Sequence, residues 1–319
     1  MKPTVTLVIP AYNEQEGILD FHKRILMPAI KKLKEVKSEI IYVNDGSSDN
    51  TLALLQSIAV KDKQVKVVNL SRNFGKEIAT TAGIFQATTD AIICLDADGQ
   101  HPPQILGEFI DKWINGAKVV VGIRNSNTDE GIIKKYGSIA FYWLFNKYAG
   151  SKQKIIPRST DYRLIDKQVQ QEFMKFSERN RITRGLIDWL GFRRDYVYFD
   201  SPARLAGEAS YKTNDLARLA ANTFISLSVK PLLVSGYIGF TIFVLSLLAG
   251  LFVIIEQYIL SDPLLLNITG SAQLGIFISC LVGILLISQS MISIYLSHIH
   301  AQTQNRPLFV IDKSESLNL

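Results

Sequence analysis

Apolar and polar residues alternate along the first 200 positions in a way that separates strands from helices. Strand-like runs cover residues 5–9, 39–43, 65–69, 91–95 and 118–122, with 196–199 as a weaker sixth. Helical periodicity fills the intervals, near 16–37, 51–61, 75–86 and 103–115. Short, nearly continuous apolar runs separated by helices predict an α/β domain with a mostly parallel sheet covered on both faces. Such sheets bind ligands beyond the carboxyl ends of their strands, so the residues directly after each run are the ones to examine.

Beyond residue 230 the pattern changes. Residues 231–255 contain no Asp, Glu, Lys, Arg or His, and the run 232–260 is interrupted by one charge, Glu256. Residues 263–297 again contain none, with 272–296 as the best span. About 20 apolar residues cross the hydrocarbon layer as a helix, and neither run has a polar face, so two membrane helices are predicted. Just before them, 214–230 places Leu216, Leu219, Ala220, Thr223 and Leu227 at three- and four-residue spacing, an amphipathic helix that would lie on the bilayer until Pro231 breaks it. The expected organisation is an α/β domain over 1–212, a juxtamembrane helix over 213–230, a two-helix membrane domain over 231–298 and a tail over 299–319.

Charge sharpens this division. The 319 residues carry a formal net charge of +6, with +8 over 1–231 and −2 over 232–319. The connector 261–271 has no Lys or Arg, whereas Arg204, Lys212, Arg218 and Lys230 precede the first span and Arg306 and Lys313 follow the second. The positive-inside rule then puts both ends, and the α/β domain, in the cytoplasm of an integral membrane protein, with the connector outside. Basic residues also favour an anionic leaflet, a better account of the charge than nucleic acid, for which no binding fold is present. Ser235/Gly239 and Ser246/Gly250 have the small-x-x-x-small spacing that lets spans pack closely in a homo-oligomer. An apolar content of 47% and only two cysteines exclude a disordered tail, a collagenous chain and a disulfide scaffold. Met1-Lys2-Pro3 leads straight into a strand pattern, without the apolar middle of a signal peptide.

Four polar loops follow the first four strand runs: Pro10-Ala11-Tyr12-Asn13-Glu14, Asn44-Asp45-Gly46-Ser47-Ser48-Asp49, Ser71-Arg72-Asn73-Phe74-Gly75-Lys76 and Asp96-Ala97-Asp98-Gly99-Gln100-His101-Pro102-Pro103. Ser48 or Asp49 can cap the helix after the second. In the fourth, two carboxylates at i and i+2 on an extended segment share a face and repel unless a cation lies between them. A hard divalent ion, Mg²⁺ or Mn²⁺, accepts such oxygen ligands and leaves positions for phosphates, and Gln100 can add a carbonyl oxygen. The competing reading of the same residues is a turn whose aspartates cap the helix at Pro102-Pro103.

Taken together and in this order, the four motifs resemble the family 2 glycosyltransferases of GT-A fold. With two apolar spans after the catalytic domain, the chain resembles the polyisoprenyl-phosphate glycosyltransferases, nearest to the bactoprenol glucosyltransferases of O-antigen modification and more distantly the dolichol-phosphate mannose synthases. The resemblance implies inverting transfer of a sugar from a nucleotide diphosphate, glucose from UDP-glucose by nearest likeness, to a polyisoprenyl phosphate such as undecaprenyl phosphate. It implies that Pro10, Tyr12, Glu14, Asp45, Gly75, Lys76 and Asp96 hold the nucleotide, and that Asp96, Asp98 and Gln100 form the metal and diphosphate site. It further implies that Arg124, Lys134, Ser138 and Arg163 hold the acceptor phosphate, that Thr160-Asp161-Tyr162-Arg163-Leu164 faces the reacting centre, and that Arg204 belongs to a mobile basic loop over the diphosphate. Asp161, Asp98 and Arg204 are then the catalytic candidates. Lys134 stands where dolichol-type members often have Arg, so its contact would be a point charge rather than a fork. A phosphate monoester is already an anion at neutral pH, with a second pKa near ~6, which leaves Asp161 either a general base or a positioning group. The sequence leaves two alternatives, a membrane-tethered protein that binds nucleotide sugars without turnover, and the same chemistry with another donor such as GDP-mannose.

Overall fold

In the computed structural model, residues 2–125, 158–178, 181–202, 270–304 and 306–319 are described, together with Thr241, Leu248 and Ile255. The chain divides into two compact units, Met1–Ser210 with Arg306–Leu319, and Tyr211–Asn305.

The first unit is built on a seven-stranded sheet among the described residues, ordered β3-β2-β1-β4-β6-β5-β7. The strands are β1 (Thr4–Ala11), β2 (Lys37–Asn44), β3 (Val65–Asn69), β4 (Ala91–Cys94), β5 (Val119–Arg124), β6 (Ser159–Asp166) and β7 (Arg194–Phe199). All pairs are parallel except those of β6, which runs antiparallel to both β4 and β5. Each expected run falls on a strand, with Leu95 and Lys118 just outside β4 and β5; β6, which carries the Asp161 segment, was not among them. The order reverses at β1 and β4, so the chain leaves their carboxyl ends toward opposite sides and opens a crevice there.

Side chains alternate across the sheet and sort the core into two layers. From β1, Val5, Leu7 and Ile9 point to one layer with Phe21, Leu55 and Phe109, while Val8 points to the other with Ile41, Val68, Ala82 and Phe173. The first layer is covered by α1 (18–30), α2 (Thr51–Lys61) and α4 (Leu106–Ile114), the second by α3 (Lys76–Gln86), α5 (Lys167–Phe173) and α6 (Thr183–Trp189). Burying apolar surface on both faces at roughly 25 cal/mol per Å² is the main drive for this arrangement. Helix α3 lies especially close to β1, since a Cβ built on Gly83 would sit 2.3 Å from Val8 Cγ1.

One expected helix differs. Instead of a continuous helix over 16–37, α1 consists of Ile18–Asp20, a π-helical Phe21–Leu26 and Met27–Ile30, and Lys37 already belongs to β2. Met27 donates its N–H to the carbonyl of His22, five residues back. Pro28 has no N–H for a regular turn, and widening the preceding turn accommodates it.

Residues 306–319, expected as part of a tail, return to the outer edge of β3, with bridges Leu70–Ile311 and Val67–Leu317. In the second unit, Gly270–Thr303 forms a 34-residue helix, α7. Judged on the described residues alone, no helix is long and apolar enough to cross a membrane. The first predicted span (but for Thr241, Leu248 and Ile255) and the juxtamembrane helix lie outside those residues, and the second span falls within α7, along which only some side chains are described.

Candidate active site at the carboxyl ends of the strands

The loops after β1, β2, β3 and β4 meet at one edge of the sheet. Pro10 is buried next to last in β1, and Tyr12 directly follows the strand, 46% exposed. Asn13 adopts a left-handed backbone (φ 53°), which an asparagine tolerates, and its side chain ties two loops together. Its N–H donates to Ser47 Oγ at 3.0 Å, and its Oδ1 accepts from the Ser48 N–H at 2.9 Å. The Glu14 N–H donates to Thr51 Oγ1, and Asp49 accepts from the N–H groups of Thr51 and Gln15, capping α2 from one residue outside its N-cap Asn50.

Asp45 is 2% exposed, and its two oxygens accept the N–H groups of Phe74 (2.8 Å) and Gly75 (2.9 Å). Burial pushes its carboxyl up, with those N–H groups and Arg72 pulling the other way. Asp45 therefore staples the 71–75 loop to the β2 loop. The next residue must be Gly46: its φ is +64°, and a Cβ there would lie 2.3 Å from the carbonyl carbon of Arg72. Arg72 stacks its guanidinium 4.1 Å above the Phe74 ring.

Lys76, at the start of α3, reaches across the crevice. Its Nζ lies 2.7 Å from Asp96 Oδ1 and 3.4 Å from Asp161 Oδ2, so one ammonium bridges carboxylates from the loop after β4 and from β6. Burial alone would lower its pKa, but Asp96 and Asp161 outweigh that and raise it. For Asp161 burial pushes the carboxyl up, while Lys76, Arg184 and Arg163 overcome this and hold it below the ordinary range. Its Oδ1 is buried without a hydrogen-bond partner.

The Asp96 N–H donates to His101 Nδ1 at 3.0 Å. That bond places the proton of the neutral ring on Nε2, and burial, the largest influence, lowers the imidazole's pKa. His101 is 3% exposed and stacks on Tyr162 at 4.9 Å. Asp98 Oδ1 accepts the Gln100 N–H at 3.0 Å, and the Gln100 carbonyl accepts Ser201 Oγ–H at 3.0 Å. Asp96 and Asp98, both half-buried, offer hard oxygen atoms, and the Asp96 carboxylate already lies against a positive charge, a donor chemistry that suits a divalent ion. Among the described residues no group of three or more His, Cys, Asp or Glu side chains could hold a metal by itself.

Arg163 lies inside the fold. Expected on the acceptor phosphate, it is 1% exposed, and its guanidinium donates to the carbonyls of Arg184 and Thr160 and to Asp188. Asp161 and Arg163, two residues apart on β6, share a face that α6 covers, and there the guanidinium is taken up by Asp188 and the Arg184 carbonyl. Arg124 ends β5 with its Nε buried and unpartnered. Lys134, Ser138 and Arg204 lie outside the described residues.

Three neighbours of Asp161 escaped the sequence reading. Glu77, beside Lys76, accepts the Thr183 N–H at 2.8 Å, and burial followed by the charge of Asp161 raises its pKa. Arg184 and Thr183 come from α6 and line the same small cavity behind Asp161. Glu77 had a local signal, a second ionisable residue in the first turn of a helix that opens on the site; Thr183 and Arg184 had none.

A sequence profile described as "Glycosyl transferase family 2" matches residues 6–173. The chain is similar to an uncharacterised glycosyltransferase of Synechocystis, 36% identical over 96% of this chain and 94% of that one. It is also similar to the SfII prophage-derived bactoprenol glucosyl transferase of Shigella flexneri, 33% identical over 98% of this chain and 99% of that one. A solved structure of glucosyl-3-phosphoglycerate synthase from Mycobacterium tuberculosis, in complex with Mn²⁺, UDP-glucose and phosphoglyceric acid, aligns at 14% identity and a TM-score of 0.48, covering 70% of this chain and 78% of that one.

Proposed function

The chain belongs to glycosyl transferase family 2, and on that premise we propose that it transfers glucose from UDP-glucose, with inversion, to a polyisoprenyl phosphate such as undecaprenyl phosphate at the cytoplasmic face of a bacterial plasma membrane. The observation that carries the proposal is the bridge from Lys76 to Asp96 and Asp161, which gathers charges from α3, the loop after β4, and β6 in the crevice where the strand order reverses.

The nucleoside enters between the loops of Tyr12 and Asp45, and Lys76 points at the diphosphate. Asp96 and Asp98 would hold Mg²⁺ or Mn²⁺, and the ion supplies neutralisation of the leaving nucleoside diphosphate. Lys76 adds a second positive charge and, when its ammonium turns to the phosphates, frees the Asp96 carboxylate. Arg204, with Arg124, Lys134 and Ser138 on the acceptor side, would complete the charge around the two phosphates. An acceptor phosphate oxygen attacks the anomeric carbon, the bond to the diphosphate breaks, and that electron pair leaves on the diphosphate. Because the nucleophile is already an anion, Asp161 needs no proton; three cations hold it ionised, a poor base, so its task is to orient Lys76 and the incoming phosphate.

The membrane assignment is supported by the uncharged runs 231–255 and 263–297 and by large apolar side chains left open to the surroundings on α7, among them Leu274, Leu285 and Leu296. Residues on both sides of the segment 211–305 belong to one unit, which supports an even number of crossings.

The test is transfer of radiolabelled glucose from UDP-glucose to undecaprenyl phosphate by membranes containing the full chain, beside GDP-mannose and other donors, with Asp98→Asn as control. The proposal expects an organic-soluble product from UDP-glucose that the variant abolishes. No lipid-linked product from any donor would leave the chain a binding protein; product from another donor alone would replace glucose.

A further inference from the structure

The outer edge of β3 is closed by the chain's own C-terminal segment, and the closure extends to the nucleoside loops. Outward-facing backbone groups between Val65 and Ser71 bond to that segment. The Val65 carbonyl accepts Asn318 Nδ2–H, Val67 exchanges both bonds with Leu317, the Asn69 carbonyl accepts the Asp312 N–H, and the Ser71 N–H donates to the Val310 carbonyl. The Asn69 N–H differs, because it donates to a side chain, Ser316 Oγ, at 3.0 Å. Phe309 and Ile311 pack into the layer under α3, and Leu317 packs into the other.

A line of hydrogen bonds runs inward from this point. Asn69 Oδ1 accepts Asn44 Nδ2–H at 2.7 Å, Asn44 Oδ1 accepts Ser47 Oγ–H at 2.6 Å, and Ser47 Oγ accepts the Asn13 N–H at 3.0 Å. Asn13 holds its left-handed conformation next to Tyr12, the exposed ring at the mouth of the crevice. Edge protection alone would require only backbone pairing along β3. The relay through three side chains goes further, because Ser316 fixes the orientation of the strand end whose amide sets Asn44, and Asn44 sets the turn that seats Asn13.

We propose that residues 309–318 are a positioning element for the donor nucleoside, acting through Ser316, Asn69, Asn44 and Ser47 on the loop that carries Tyr12 and Asn13. The inference rests on the nucleotide-sugar reading of the site. It assigns the C-terminus a role in donor affinity, although it lies far along the chain from any donor-binding residue.

The experiment is calorimetric titration of the full chain in detergent with UDP and with GDP, each with Mg²⁺, comparing wild type, a truncation after Arg306 and Ser316→Ala. The truncation is expected to weaken nucleotide binding roughly 5- to 30-fold, the effect of one or two kcal/mol of lost order. Ser316→Ala is expected to weaken it about 2- to 10-fold, the range of one hydrogen bond. A synthetic peptide of residues 307–319 should restore binding to the truncated chain, and in transfer assays Ser316→Ala should raise donor KM by more than it lowers kcat. Wild-type affinity in Ser316→Ala, or a loss on truncation that the peptide does not restore, overturns the proposal and leaves the nucleotide-sugar reading intact. Failure of wild type to bind either nucleotide overturns both.

Discussion

Replacing Arg163 separates its place in the structure from the acceptor role that the sequence suggested. The guanidinium is 1% exposed and lies 3.3 Å from Asp188, with further donors on the Arg184 and Thr160 carbonyls. Arg163→Met keeps the stem but leaves two part-buried carbonyls and one carboxylate without that partner. Removing one member of a buried ion pair costs about 3–5 kcal/mol. Asp188 retains Arg194 at 3.5 Å, which places the loss near the lower end, about 3 kcal/mol. For a domain of this size each kcal/mol moves the midpoint by roughly 2–4 °C, so the expected drop is about 6–12 °C. Arg163→Lys keeps the charge and loses the planar fork, so about half that drop is expected. Thermal unfolding of the full chain, followed by far-UV circular dichroism with and without UDP, reads the effect. The position predicts that acceptor KM in Arg163→Lys rises no more than donor KM, since the guanidinium is already engaged by Asp188 and two backbone carbonyls. An unchanged midpoint together with a selective loss of acceptor affinity would refute the structural role and return Arg163 to the phosphate site.

Lys76→Met removes the ammonium between Asp96 and Asp161, so the Asp161 carboxyl should titrate at higher pH than in wild type; the acid limb of the kcat/KM profile should move upward, and an unmoved limb would deny the coupling. Asp98→Asn should lower transfer at least about a hundredfold, as loss of a group that stabilises transition-state charge does, and a variant within a factor of ten of wild type would remove Asp98 from the site. Gly83→Ala forces a methyl onto Val8 and should cost about 1–3 kcal/mol in a denaturant midpoint, with donor KM following only where α3 shifts. Burial pushes the Asp166 carboxyl up, but Trp113 Nε1–H, the Gln168 N–H and Lys118 more than offset it and hold it below the ordinary range. A carboxyl lowered on folding adds stability above its unfolded pKa that is lost as pH falls through the folded one, so acid titration of stability should be shallower in Asp166→Asn.

Strand runs were legible because β1 to β5 bury apolar residues on both faces, and a doubly buried strand is written in the sequence as an unbroken apolar run. The four polar loops were legible for a related reason, since in a parallel sheet the residues directly after each strand lie along a single edge. β6 was hidden because its run includes Asp161 and Arg163, whose charges are buried beside partners from α3 and α6. Pattern reading treats such residues as solvent-facing, and only the assembled sheet reveals the counter-charges that make their burial affordable.

The sequence by itself determined the α/β architecture, the family and the edge of the sheet where the chemistry lies, because these follow from local periodicity and from the order of the motifs. Only the tertiary structure decided which charges meet: Lys76 with Asp96 and Asp161, Arg163 with Asp188, and Ser316 with Asn69 across 247 positions. Electrostatic and hydrogen-bond partners are chosen by distance in space, and an antiparallel strand inserted between β4 and β5, or a C-terminus returning to β3, changes those distances without altering the periodicity of any segment.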